Sequence, residues 1–161
     1  MLRNAKIILV LVVALWGFTG AFGNLNDWAG TMGAVGAVTS MSTFDAVPAS
    51  WRATSSPVII WLGALFIMLS KFAGAVYCSI GATRMWRERA ASAAQFQAAK
   101  QAALVGCAIM VIMLFGGFIV IAETWYELWR SEAMLGPVLG SAFRYAGLIL
   151  LIALFVGSRD E

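Results

Sequence analysis

Few side chains in this sequence could do chemistry, and those few sit in unusual places. Lys71 stands inside "FIMLSKFAGAVYC", with no other charge between Val58 and Thr83. Arg144 is similarly isolated inside "SAFRYAGLIL", and Glu123 opens the polar segment "ETWYELWRSE", residues 123–132. A lysine or arginine can hold an anion, and paired carboxylates can in principle do acid–base work. The usual supporting groups are missing. The chain has no histidine, which removes histidine zinc sites, bis-histidine haem ligation and the commonest general base. Its two cysteines, Cys78 and Cys107, are too few for a thiolate metal site, and no disulfide is expected between them. The spacing Gly30-x-x-Gly33-x-x-Gly36 lacks the dinucleotide-binding pattern and suits close packing. No nucleophile–base pair or metal set is visible, so we expect no enzyme, no cofactor and no metal.

What must position these groups is a membrane. Of 161 residues, 61% are hydrophobic and the mean hydropathy is +0.86. A soluble domain of this size has too little interior to hide so much apolar surface. Four apolar runs lie near 7–23, 58–83, 102–122 and 138–157, and each approaches or exceeds the roughly 17–25 residues a spanning helix needs. None alternates as a barrel strand would. The first run is long for a signal sequence and carries Trp16 and Phe18, so we expect it to be retained. The expected fold class is all-α, an integral membrane four-helix bundle forming one domain over residues 1–161.

Charge distribution gives the expected direction. Arg3, Lys6, Arg84, Arg87, Arg89, Lys100 and Arg159 fall at the two ends and in the connection 84–101. The connections 24–57 and 123–137 hold only Arg52 and Arg130 as cations, with Asp27, Asp45, Glu123, Glu127 and Glu132. By the positive-inside rule both termini are cytoplasmic and these two connections face outward. The basic connection fits anionic headgroups, not nucleic acid. Within the long outer connection, "WAGTMGAVGAVTSM" could form a short helix at the interface or dip into the bundle.

At 100° per residue, Lys71 shares a helical face with Ala64, Ile67, Met68, Gly74, Ala75, Cys78 and Ala82. Leu62, Phe66, Leu69 and Ile80 lie opposite. Small residues favour helix contact, so Lys71 should point into the bundle. Counted along the apolar run, it is about 18 Å from the inner end and about 20 Å from the outer end. Snorkelling to an interface is the plainer alternative. No carboxylate lies inside any run. Glu123, at the outer end of the third run, and Arg144, about 9 Å below the outer end of the fourth, match in depth and are expected to pair, and Gly140, Ser141 and Gly147 on the face of Arg144 suggest an inward direction. If the third helix continues past Glu123, Glu127 and Arg130 form an i, i+3 pair, while Trp125 and Trp129 join an interfacial aromatic belt.

Several segments, in this order and spacing, resemble a bacterial family of predicted small integral membrane proteins of unknown function. They are "GNLNDW" (with Asn24 and Asp27), "VTSM", "WRATSSP" (with Trp51 and Arg52), "CSIGATRMWR", "ETWYELWRS" and "FRYAGLIL". The resemblance covers nearly the whole chain and implies four helices in the bacterial inner membrane. It brings no activity with it. The residues themselves favour an accessory component of a membrane assembly, with a membrane protein partner or a second copy supplying what Lys71 lacks. The alternative is a small carrier or binding protein for an anionic solute or lipid, using Lys71 and Arg144 with Glu123 nearby.

Overall fold

The structure, a computed structural model, describes residues 1–44 and 50–160. Asp45, one of the outer acids in the charge reading, lies outside the described residues. Among them there are helices and turns and no strand. Five helices carry the architecture: α1 (Leu2–Asn26), α2 (Trp28–Thr39), α3 (Pro57–Arg87), α4 (Ala93–Trp125) and α5 (Glu132–Gly157). Four of them, α1, α3, α4 and α5, are long and apolar enough to cross a bilayer.

These four alternate in direction. α1 packs on α3, α3 on α4, α4 on α5, and α5 returns to α1. The core is a column of small and flexible side chains, with Val10, Val13, Ala75, Met110, Met113 and Ala146 all buried. On α3 the face shared by Lys71 is the inner one, since Ala64, Gly74, Ala75, Cys78 and Ala82 are buried while Leu62, Phe66 and Leu69 are exposed. This is the expected separation of small residues at helix contacts from bulky ones against lipid. A capping box at Ser92 and Gln95 starts α4 well before the apolar run, so the basic connection is a tight hairpin.

The segment after the first span is a helix, as its composition allowed, but it does not turn back. Contacts step steadily along α3 as the chain advances. A Cβ on Gly17 would sit 2.9 Å from Ala75 Cβ, one on Gly63 would sit 2.9 Å from Val35 Cγ1, and the Thr39 carbonyl accepts from the Thr54 amide at 2.8 Å. Thus α2 continues outward beside the first half of α3. The break between α1 and α2 falls at Asp27, whose carboxylate accepts from the Gly30 amide at 2.9 Å and caps α2.

The third span also ends differently from the continuous helix considered above. From Ile112 its winding widens to a π-type spiral that stops at Trp125. Glu127 then adopts a left-handed conformation, φ 52°, and a single 3₁₀ turn, Leu128–Arg130, leads towards α5. Glu123, Glu127 and Arg130 therefore do not share one continuing helical face.

Candidate functional site

Lys71 meets the break in the first helix. Its Nζ donates to the Asn24 side-chain oxygen at 2.7 Å and lies 6.0 Å from the centroid of the Trp16 ring. Asn24 in turn donates from its amide nitrogen to Thr31 Oγ1 at 2.9 Å, which ties the last turn of α1 to the first turns of α2. Gly20 clears the path of the lysine stem, because a Cβ there would fall 3.2 Å from Lys71 Cδ. A cation beside the carboxyl end of α1 also faces the negative end of that helix.

Along α1 this contact lies far from the end that carries Lys6, since Lys6 and Asn24 are eighteen residues apart, about 27 Å of helix. Past it Trp28 packs against Trp61 with ring centroids 5.2 Å apart, and the first turns of α3 stand beside α2. Lys71 points inward, as its face predicted, and its stem runs towards the end of α1.

Above the amine lies a cavity of about 470 Å³. Its walls come from α2, α3 and the outer parts of α4 and α5, including Val35, Phe66, Ile67, Phe118, Ile121 and Val138. Polar groups are few: Lys71, Asn24 and Thr31 at one end, Thr39 and Tyr126 elsewhere. No carboxylate or thiol lines it among the described residues. Among the described residues, one of the three ammonium hydrogens of Lys71 is taken by a protein acceptor. The sequence held the signal for this partnership, since "GNLNDW" ends an apolar run on polar residues, but not the register that sets Asn24 on Lys71.

Arg144 and Glu123 do not join this site or each other. Arg144 is exposed on the outer surface of α5, and its Nε donates to the Gly140 carbonyl of its own helix at 3.2 Å. Its neighbour Gly147 meets nothing within 4 Å. The small residues that suggested an inward face instead leave an open outer one, while Ala142, Ala146 and Ile149 fill the core side. Glu123 is half-buried and takes part in none of the ion pairs among the described residues.

The two outer connections are clasped together, which sequence spacing alone does not reveal. The Glu127 carboxylate accepts from Arg52 and, at 3.0 Å, from Arg130. Trp51 packs edge-on against Trp125 at 5.5 Å, Arg52 lies 5.9 Å from the Trp125 ring, and Arg130 lies 4.9 Å from Phe44. Trp129 stays exposed. The Arg52 hydrogen bond, then that of Arg130, holds the Glu127 carboxyl below its ordinary value of 4.5. A carboxyl lowered by folding stabilises above its unfolded pKa, and that contribution fades as pH falls through the folded value. Acidification below about pH 4.5 is therefore expected to open the clasp and change the Trp51–Trp125 fluorescence. Glu127→Gln should show the opened signal at neutral pH, and an unchanged neutral spectrum in that variant would contradict this assignment.

A second charged cluster closes the end that carries both termini. Lys6 and Lys100 are fully buried, and both bind the Asp160 carboxylate, Lys6 at 3.0 Å. Burial pushes the Asp160 carboxyl up, but the hydrogen bonds from Lys100 and Lys6 outweigh it and hold the carboxyl below its usual range.

Alternating apolar helices and lipid-facing bulky residues define the class: a four-span helical membrane protein, with an apolar pocket that opens on its surface. The chain belongs to the family described as predicted small integral membrane protein (DUF2165), which matches residues 2–159. No curated protein and no solved structure gives a significant match.

Proposed function

We propose that this protein is a membrane binding protein for an amphipathic anion, a molecule with an apolar body and one carboxylate or comparable head. The observation that carries the reading is Lys71: a cation with donors unused among the described residues, at the end of an apolar cavity. At about 470 Å³ that cavity falls within the range of roughly 300–1,000 Å³ typical of small-molecule sites. The head would take the free donors of Lys71 beside Asn24 and Thr31, and the body would lie along Phe66, Ile67 and Phe118. Arg144 has no part in this, because it lies outside the cavity. The accessory-subunit reading took its motive from a lysine without a partner, and Asn24 and the cavity supply that lysine with neighbours from its own chain.

The same reading sets the protein in a bacterial inner membrane with both termini cytoplasmic. The excess of Arg and Lys at the end that carries the termini supports this orientation. The cavity, at the opposite end, would then serve the outer leaflet or the space beyond it.

Titration of the detergent-purified protein with cis-parinaric acid, a fluorescent long-chain carboxylate, tests the proposal. Lys71→Gln should weaken binding about 30-fold, or ~2 kcal/mol, the scale of hydrogen bonds to a charged group. Arg144→Gln should leave it unchanged. Equal affinity in wild type and Lys71→Gln would remove the lysine from the site.

A further inference from the structure

We propose that Lys6 and Lys100 form a binding site for a phosphodiester, with the Asp160 carboxylate as its built-in occupant. The proposal is independent of the Lys71 cavity. Both amines are fully buried, and the Asp160 side chain between them is 3% exposed. Each ammonium has three acceptors. Lys6 donates to the Ser158 carbonyl at 2.9 Å, to Ser158 Oγ at 3.0 Å and to Asp160 Oδ1 at 3.0 Å. Lys100 donates to Gln97 Oε1 at 2.7 Å, to the Ser158 carbonyl at 2.8 Å and to Asp160 Oδ2.

Two cations thus share one anion among the described residues, and these three groups sum to a formal charge of +1. Its occupant presents two oxygens and one negative charge. A phosphodiester offers the same: two non-bridging oxygens with one charge between them. The carboxylate arrives on a short tail beyond the end of α5 at Gly157, and past Ser158 that tail makes no backbone hydrogen bond among the described residues. The surroundings favour an incoming anion. Arg3 lies 4.9 Å from the Phe96 ring and Lys100 5.2 Å from the same ring, while Arg3 also donates to the carbonyls of Arg89 and Ala91 in the neighbouring hairpin. Basic pockets between spanning helices are where acidic lipid headgroups bind. When a phosphodiester enters, its oxygens take the places of Oδ1 and Oδ2 and the tail leaves.

The carboxyl-carbon magnetic resonance of Asp160 tests this on the intact protein, in nanodiscs of phosphatidylglycerol and of phosphatidylcholine. It should shift to the position of a solvated, unpaired carboxylate with phosphatidylglycerol, and the same resonance in the two lipids would overturn the proposal. Glycerophosphoglycerol, the same diester without chains, added to phosphatidylcholine nanodiscs separates the sources. The shift there makes a soluble diester sufficient, and none there with a shift in phosphatidylglycerol makes the membrane lipid the ligand. In native mass spectrometry Asp160→Asn should retain more phosphatidylglycerol than wild type, and adding Lys6→Gln and Lys100→Gln should abolish the gain. Equal retention by Asp160→Asn and wild type, or a gain that survives in the triple variant, would contradict it.

Discussion

Gly106→Val should separate the second and third spans and cause a large loss of stability. A Cβ at Gly106 would lie 2.6 Å from the Gly74 carbonyl oxygen and 2.7 Å from the Cys78 amide nitrogen. Both are backbone atoms, so no side-chain rotation relieves the clash. The contact is reciprocal, since a Cβ on Gly74 would fall 3.0 Å from the Gly106 carbonyl, and Gly81 lies as tightly against the Ala103 backbone. Overpacking that side chains can absorb costs about 1–3 kcal/mol; here helix axes must move, and the loss should be at the top of that range or beyond. Gly147→Val is the control, because nothing lies within 4 Å of its site. Unfolding in mixed micelles should show a large fall in midpoint for the first variant and little change for the second. Similar midpoints would contradict the close approach of α3 and α4.

The second large effect is expected at the other buried cluster. Asp160→Ala leaves Lys6 and Lys100 with no carboxylate between them. Removing one member of a buried ion pair typically costs 3–5 kcal/mol, and we expect about 3 kcal/mol because water can re-enter where the short tail stood. Replacing all three by Met, Met and Ala removes the uncompensated charge, and should recover most of that loss. Unfolding midpoints in neutral detergent decide this. A triple variant no more stable than Asp160→Ala would show that charge imbalance is not the cause.

How legible these features were depends on whether their cause is local. The spans, and the inward face of Lys71, follow from hydrophobic length and from the size of residues three and four apart. The contact of Lys71 with Asn24 does not, because it depends on how far α1 runs along α3 before breaking at Asp27. Small residues misled at Arg144: Gly140 and Gly147 look the same on paper whether a helix contact or open space lies over them. Lys6 and Lys100 read as ordinary charges flanking spans, Asp160 gave no signal of its own, and only the closed order of the helices brings the three to one point. The clasp of Arg52 on Glu127 was hidden for the same reason, while the Glu127–Arg130 pair survived a change of local geometry because a 3₁₀ turn also brings residues three apart together.

The central claim is that Lys71 recognises the charged head of an otherwise apolar ligand. The most direct measurement compares a long-chain carboxylate with its methyl ester, by competition against cis-parinaric acid, on wild type and on Lys71→Gln. The wild type should prefer the carboxylate by about 30-fold, or ~2 kcal/mol, and the variant should bind both about equally. A carboxylate preference of the same size in both proteins would contradict the claim.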